Sequence, residues 1–450
     1  MNLYPHQITG ADFLAQRGFA FLFDVPGLGK TATAVAACDR VGAQKILVIC
    51  PAVVRRFWEL TFLTWQKIKR DVTCIEGFIK HALPDGVSII SHECLADVAP
   101  PPNSKKARRD VYSVPMLWVG APYDVIVLDE AHQFREQTAA RTNGFFAPCG
   151  LWEAGRQVFA LTGTPIVNSA ADLYPAVFGP LRTPVSWWDW CTQFAGELRP
   201  DGHDSVRPIG LKRAPELAVF LQPHCLRRTL DSLGIELPPL TTYQVPIALP
   251  PSELQAAMAG LEKWTPARLQ YALEQGSELK DAALAKVRHA LGVAKAQSAA
   301  FHVGAVLKAG DGPVVAFFQH TRVREIMYEQ LSGAGYRVSW IDGTVTRKQL
   351  AAAQAWFQAG QIDVLLVQTQ CGSQGLTLTQ AHRVVIAELS WTSVAIEQSI
   401  KRIHRISQTQ PCTAEILCVQ DCWLEDALLN AVNKKHVAAE QLLSLLTSSS

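Results

Sequence analysis

Ten short, strongly apolar runs in two sets of five constrain this chain most. The first set is Phe19–Phe23, Ile46–Cys50, Val87–Ile90, Val125–Leu128 and Val158–Leu161. The second is Val314–Phe318, Val338–Ile341, Val364–Val367, Val384–Ala387 and Ile416–Val419. Helical patterns separate the runs. A strand that is apolar along its whole length has both faces covered, as in a parallel sheet between two layers of helix. Two such sets predict an α/β chain of two lobes. The length of 450 residues is too great for one ordinary core, which agrees.

Between the sets, residues 253–308 are rich in Ala, Leu, Glu and Lys and read as helices. Leu237-Pro238-Pro239-Leu240 reads as an extended connector. The expected division is lobe one over 1–248, with a helical insertion near 166–236, a helical linker over 249–308, and lobe two over 309–450. Trp187-Trp188-Asp189-Trp190 lies in the insertion. It reads as a packing anchor more readily than as a platform for bases.

The formal charge is +2, so any polyanion surface must come from sorting charges onto one face. The basic segment Pro100–Arg109 reads equally as a phosphate contact or targeting signal and as a solvated loop. Eleven cysteines include no C-x-x-C pair, and Cys412, Cys418 and Cys422 read as buried thiols rather than a zinc site. An odd cysteine count, with no secretory leader and no run long enough to span a bilayer, predicts a reducing intracellular compartment. No membrane partner is expected, and the oligomeric state is expected to be monomeric.

Two segments carry chemistry. Asp24-Val25-Pro26-Gly27-Leu28-Gly29-Lys30-Thr31 follows an apolar strand and precedes an Ala/Val-rich helix. Strand, glycine loop, Lys-Thr and helix make the arrangement that wraps a nucleotide triphosphate. Backbone N–H groups and the helix N-terminus face the phosphates, Lys30 adds a cation, and the Thr31 hydroxyl is offered to Mg²⁺. Asp124-Val125-Ile126-Val127-Leu128-Asp129-Glu130-Ala131-His132 ends a buried strand in two acids. Asp129 would hold Mg²⁺ and Glu130 would polarise the attacking water. A helix cap would also use two acids, but it does not explain their place after a phosphate loop. Loop and DEAH box together point to a helicase-type ATPase using ATP and Mg²⁺.

Nearly end to end, the chain resembles the Swi/Snf-type DNA translocases of helicase superfamily two, which have two RecA-like lobes of the P-loop NTPase kind. Leu3-Tyr4-Pro5-His6-Gln7 with Gly10 is similar to the opening motif, and the resemblance makes Gln7 the reader of the adenine edge. Asp24 begins the family's D-E-x-G-L-G-K-T, with Val25 in place of the acid, and so joins Gly27, Leu28, Gly29, Lys30 and Thr31 as an ATP contact. Cys50-Pro51 through Trp58, and Ser91-His92-Glu93, are similar to lobe-one motifs that would place Trp58 and Ser91 on DNA. Leu161-Thr162-Gly163-Thr164-Pro165 resembles the coupling motif, implying that role for Thr162, Gly163 and Thr164. Leu226-Arg227-Arg228 with Leu237-Pro238-Pro239 is similar to the segment that closes lobe one.

In lobe two, Phe317–His320 and Ile341-Asp342-Gly343-Thr344 resemble the early motifs, with Gly343 toward DNA. Gly372–Thr379 resembles motif five, which implies coupling through Gly375 and a backbone contact at Thr377. Glu397–Gln408 resembles Q-x-x-x-R-x-x-R-x-G-Q. Gln398, Arg402 and Arg405 recur one turn apart, on one side of a helix. The family supplies arginine fingers there, and Gln398 would couple. Lys401, Ser407 and Thr392-Ser393 depart from the pattern without removing a catalytic group. Ala387-Glu388-Leu389-Ser390-Trp391 is worded most like the fork-remodelling or annealing-helicase branch, and Trp391 would touch DNA.

The expected activity is an ATP-dependent motor tracking along double-stranded DNA. A strand-separating DNA or RNA helicase, and a nucleotide-gated nucleic-acid clamp with little turnover, stay open. Only a strand and a helix follow the last motif, so a bacterial or viral source is expected over a eukaryotic nucleus.

Overall fold

The computed structural model describes residues 3–76, 83–98, 122–148, 150–167, 169–200, 206–274, 281–372, 376–390 and 393–447. The basic segment Pro100–Arg109, and Gly375 and Trp391 among the site residues, lie outside them. The chain divides into two units, residues 1–235 with 438–450, and residues 236–437.

In the first unit the five apolar runs are strands β1 (Phe19–Leu22), β2 (Lys45–Cys50), β4 (Gly86–Ser91), β5 (Tyr123–Asp129) and β6 (Gly155–Leu161). Two strands not read from the sequence join them, β3 (Val72–Cys74) and β9 (Cys225–Leu226). They are three and two residues long, too short to show a period. The order is β3-β4-β2-β5-β6-β1-β9, with every pair parallel. β1 is buried throughout and β5 nearly so. Helices α1 (Pro5–Ala15), α2 (Lys30–Arg40) and α3 (Arg55–Trp65) lie in this unit. The insertion holds helix α4 (Trp187–Phe194) and an antiparallel hairpin, β7 (Glu197–Pro200) with β8 (Val206–Ile209). Trp190 is buried there, its indole N–H donating to the Ala170 carbonyl at 2.9 Å, so it anchors packing.

The second unit repeats the plan with β10 (Leu240–Ile247), β11 (Val314–Phe318), β12 (Val338–Ile341), β13 (Val364–Gln368), β14 (Arg383–Ile386) and β15 (Cys412–Val419). The order is β10-β15-β14-β11-β13-β12, again all parallel. The expected division after residue 248 is corrected at this point. β10 pairs with β15 over eight residues, so the stretch read as connector and lobe-one end belongs to the second sheet. Its Thr241, Thr242 and Gln244 hide the strand, because an edge strand takes its place from its ladder rather than from apolar content. The linker helices Pro251–Ala257, Pro266–Glu274 and α5 (Ala282–Lys308) lie in the second unit too. The chain end does not: Leu442 and Leu446 are in the lobe-one core, and Thr447 bridges Arg227.

Helix α5 corrects the reading that nothing could span a bilayer. By length and composition it could, alone among the described residues. Its Leu284, Leu291, Ala299 and Val303 are instead buried in the cores flanking the second sheet. No group of three or more His, Cys, Asp or Glu among the described residues is placed to hold a metal ion. Burial pushes the thiols of Cys412 and Cys418 up to about 11.

Candidate active site

The carboxyl ends of parallel strands form the crevice where α/β folds place ligands. In the first unit β1 runs into Asp24 and the loop to Gly29. Gly27 (φ 99°) and Gly29 (φ 79°) take left-handed backbone that other residues adopt only with strain. Gly29 is the N-cap of α2, so Lys30 and the half-buried Thr31 open the helix. Lys30 Nζ reaches back over the loop to the Asp24 carbonyl at 2.8 Å. Gln7 is buried against the same loop. Its amide donates to the Leu28 carbonyl at 3.3 Å and its oxygen accepts from Tyr4 N–H at 3.0 Å.

Asp24 departs from its expected role as an ATP contact. Its carboxylate is fully buried and spent on Arg228, whose Nε and backbone N–H both donate to Oδ1 at 3.0 Å while Nη2 pairs with Oδ2. Arg228 also donates to the His6 carbonyl and to Thr9 Oγ1. A Cβ at Gly10 would lie 2.6 Å from Arg228 Nη2 and 2.8 Å from Thr33 Cγ2, which accounts for the glycine of the opening motif. Sequence reasoning matched the Arg227-Arg228 segment but gave Arg228 no task.

β5 delivers the acids. Burial, then the neighbouring Glu130, raises the Asp129 carboxyl to about 6, although Trp58, Lys30 and the Glu130 N–H pull it down. Such crowded negative charge fits a divalent cation. The loop, Lys30, Thr31 and Asp129 together fit a nucleotide triphosphate with Mg²⁺. Glu130 sits at φ 49°, a left-handed conformation that costs a non-glycine residue about 1–3 kcal/mol.

Two more residues tie the acids down. His92 Nε2 lies 2.9 Å from the Asp129 carbonyl, which can only accept, so that nitrogen carries the proton. Burial lowers its pKa to about 4, and the ring stays neutral. His132 Nδ1 lies 3.0 Å from Thr162 Oγ1 and 3.3 Å from Glu130 Oε2. Thr162 Oγ1 in turn accepts from Thr164 N–H at 3.1 Å. The acids are therefore joined to the Thr162-Gly163-Thr164 turn.

Both lobe-one residues assigned to DNA are buried. Trp58 is fully buried, with its indole N–H on Asp129 Oδ2 at 2.8 Å. Its ring fills the core beneath the sheet with Phe62, so it presents nothing to DNA. Ser91 is likewise buried, 3.5 Å from Cys94 Sγ. Gly343 is exposed, its N–H donating to Gln368 Oε1 at 3.2 Å.

In the second unit the helix expected to carry Gln398, Arg402 and Arg405 stops early. Helix α6 (Ser393–Ile400) holds Gln398, while both arginines lie on turns beyond it. The carbonyls that further helix would need are claimed elsewhere. Leu378 N–H takes the Arg402 carbonyl at 3.0 Å, and Gln408 Nε2 takes that of Ile403 at 3.1 Å. Arg402 is buried. Arg405 Nη1 donates to Thr377 Oγ1 at 2.8 Å and to the Leu376 carbonyl at 3.2 Å. Leu376 and Thr377 of motif five are thus hydrogen-bonded to the Glu397–Gln408 segment.

The SNF2-related domain matches residues 6–258, and the helicase conserved C-terminal domain matches residues 298–407. The chain belongs to the SNF2-related family. It is thereby an ATP hydrolase of helicase superfamily two, with two RecA-like lobes. It is similar to the mouse "DNA annealing helicase and endonuclease ZRANB3", at 24% identity over 96% of this chain and 40% of that protein. It is also similar to the Xenopus tropicalis "SWI/SNF-related matrix-associated actin-dependent regulator of chromatin subfamily A-like protein 1", at 25% identity over 91% of this chain and 41% of that one. The chain spans about two fifths of the length of these relatives. A solved "Sulfolobus solfataricus SWI2/SNF2 ATPase core in complex with dsDNA" matches at 21% identity, covering 99% of this chain and 93% of that chain, with a TM-score of 0.43, too loose to carry an argument.

These relatives correct the expectation of a bacterial or viral source. They are vertebrate proteins, and the region each shares with this chain is part of a longer chain.

The branch wording Ala387-Glu388-Leu389 also has a physical basis. Glu388 is buried at the end of β14 and accepts from Gln319 N–H at 2.7 Å, His320 N–H at 3.0 Å and His320 Nδ1 at 2.6 Å. Burial works against its ionised form, but the bonds from His320 and Gln319 win and lower its pKa. Its stabilising effect is therefore full above the unfolded value of 4.5 and is lost as pH falls below it. Glu388→Gln should cost lobe two about 1.5–3 kcal/mol at pH 7, the range for hydrogen bonds to a charged group. Chemical denaturation of both forms at pH 7 and pH 4 checks this, and the difference should shrink at the lower pH.

Proposed function

We propose that this chain is the motor of a DNA translocase that tracks along the duplex, in the annealing-helicase branch of its family. One observation carries the reading. In each lobe, a residue of a nucleotide motif is hydrogen-bonded to a segment assigned to nucleic acid or to coupling: His132 of the DEAH box to Thr162 in one, Arg405 to Thr377 in the other.

MgATP, when bound, supplies the scissile phosphate and the cation that screens its charge. Lys30 and the α2 N-terminus hold the phosphates, and Thr31 and Asp129 are the cation ligands. Glu130 orients water and takes its proton. Arg402 and Arg405 supply positive charge to the transition state. Cleavage removes the contacts that Lys30 makes, and the change passes through His132 and Thr162 to the nucleic-acid side. Gln398, Gly163, Thr164 and Gly375 belong to that coupling path, and Gly343, Thr377 and Trp391 to backbone gripping. Backbone contacts carry no sequence information, so movement is sequence-independent and weakens with salt.

ATP turnover should be low without nucleic acid and strongly stimulated by duplex DNA. Displacement of a triplex third strand should proceed without separation of the duplex strands. Stimulation by RNA alone would favour a strand-separating helicase, and no stimulation by any nucleic acid would favour a clamp.

A further inference from the structure

Asp129 is held at three points, each by a neutral donor from another residue. Oδ1 accepts from Glu130 N–H at 3.0 Å, Oδ2 accepts from the Trp58 indole at 2.8 Å, and the carbonyl accepts from His92 Nε2 at 2.9 Å. Trp58 rides on α3, far from Asp129 in sequence, and is wholly buried beside Phe62.

We infer that Trp58 is a positioning residue for the Mg²⁺ ligand: its indole N–H fixes the Asp129 carboxylate in the rotamer that receives the cation. This rests on the assignment of Asp129 to Mg²⁺ under the proposed function. Three points favour positioning over mere filling. First, Trp152 and Trp190 donate to backbone carbonyls, at 3.1 and 2.9 Å, and Trp264 to the helix-capping carboxylate of Asp281 at 3.3 Å. Trp58 reaches a catalytic carboxylate instead. Second, the donor is neutral. An arginine or lysine there would orient the carboxylate but would also compete with the cation for its charge; an N–H dipole orients it without cancelling that charge. Third, each carboxylate oxygen has two acceptor sites, so one bond to Glu130 and one to Trp58 leave capacity on both for a metal. Outer-shell donors of this kind typically change metal affinity about 10–100-fold when removed.

The test is the Mg²⁺ dependence of nucleotide binding, read with a fluorescent ADP analogue on the full chain without DNA. Trp58→Phe keeps an aromatic ring and deletes the N–H. It should raise the half-saturating Mg²⁺ concentration about tenfold or more, with binding restored at high Mg²⁺. Phe62→Leu perturbs the same packing and leaves the indole in place. It should lower thermal stability without moving the Mg²⁺ requirement. Incorporation of benzothienylalanine at position 58 removes the N–H at constant volume. It settles the matter if Trp58→Phe folds poorly, and should reproduce the Mg²⁺ shift. An unchanged Mg²⁺ requirement in the N–H-free forms, or an equal shift in Phe62→Leu, overturns the positioning role. Mg²⁺-independent nucleotide binding by the unaltered chain would instead overturn the assignment of the site itself.

Discussion

Arg402→Ala should lower duplex-stimulated ATP turnover by roughly 10³–10⁵-fold, the range for loss of an arginine finger. The effect belongs in kcat. A finger acts on charge that develops on the transferring phosphoryl group, so ground-state affinity for MgATP should change little. Arg402→Lys separates charge from shape. A compact ammonium cannot reproduce the planar two-pronged donor, so lysine should recover only a small part of the loss. Arg405 gives the internal contrast. Its guanidinium is committed to Thr377 and the Leu376 carbonyl, and burial lowers its pKa. Arg405→Ala should therefore also loosen the segment beginning at Leu376, and its loss of turnover should come with weaker DNA stimulation. Steady-state hydrolysis at saturating duplex, nucleotide affinity and thermal melting of each variant decide the matter. Full turnover in Arg402→Ala would remove the finger assignment.

The sheets were legible because buried parallel strands leave a signal independent of context. Ile46–Cys50 or Val364–Val367 is apolar at every position, and few other environments take such a run. β10 was not legible, because Leu240-Thr241-Thr242-Tyr243 becomes a strand through its ladder with β15. The phosphate loop and the DEAH acids could be read from spacing, since their chemistry depends on residues adjacent in the chain. What escaped was whatever depends on distant partners. The Asp24 carboxylate looks like a nucleotide ligand in sequence, and only the fold brings Arg228 to it across 204 positions. Trp58 looks like a surface aromatic until α3 turns its indole toward Asp129. The Arg402–Arg405 helix failed for a similar reason: Leu378 and Gln408 take carbonyls that a local pattern assigns to the helix. Motif spacing thus places residues along the chain but not against the partners that the fold brings to them.

The Asp24–Arg228 pair should be the most costly single bond in lobe one to break. Both side chains are almost wholly buried, and Arg228 knits α1, the end of β1 and the segment after β9 into one body. Removing one partner of a buried pair leaves the other charged and desolvated, which typically costs about 3–5 kcal/mol. Arg228→Met and Asp24→Leu should each lower lobe-one stability by about that amount, measured by urea denaturation. The pairing gives a sharper outcome than either loss. In Asp24→Leu with Arg228→Met, no stranded charge remains, so the double variant should be more stable than the sum of the single changes by about 2 kcal/mol or more. Additive losses would mean that the two side chains act independently, against the geometry. The nucleotide site should respond as well. The Asp24 carbonyl accepts from Lys30 Nζ, so freeing the carboxylate beside it lets the start of the phosphate loop shift. If the pair serves only the core, the double variant will regain nucleotide affinity along with stability. If it also fixes the loop, stability will return and affinity will not, because leucine and methionine refill the volume without bonding Arg228 N–H or the His6 carbonyl.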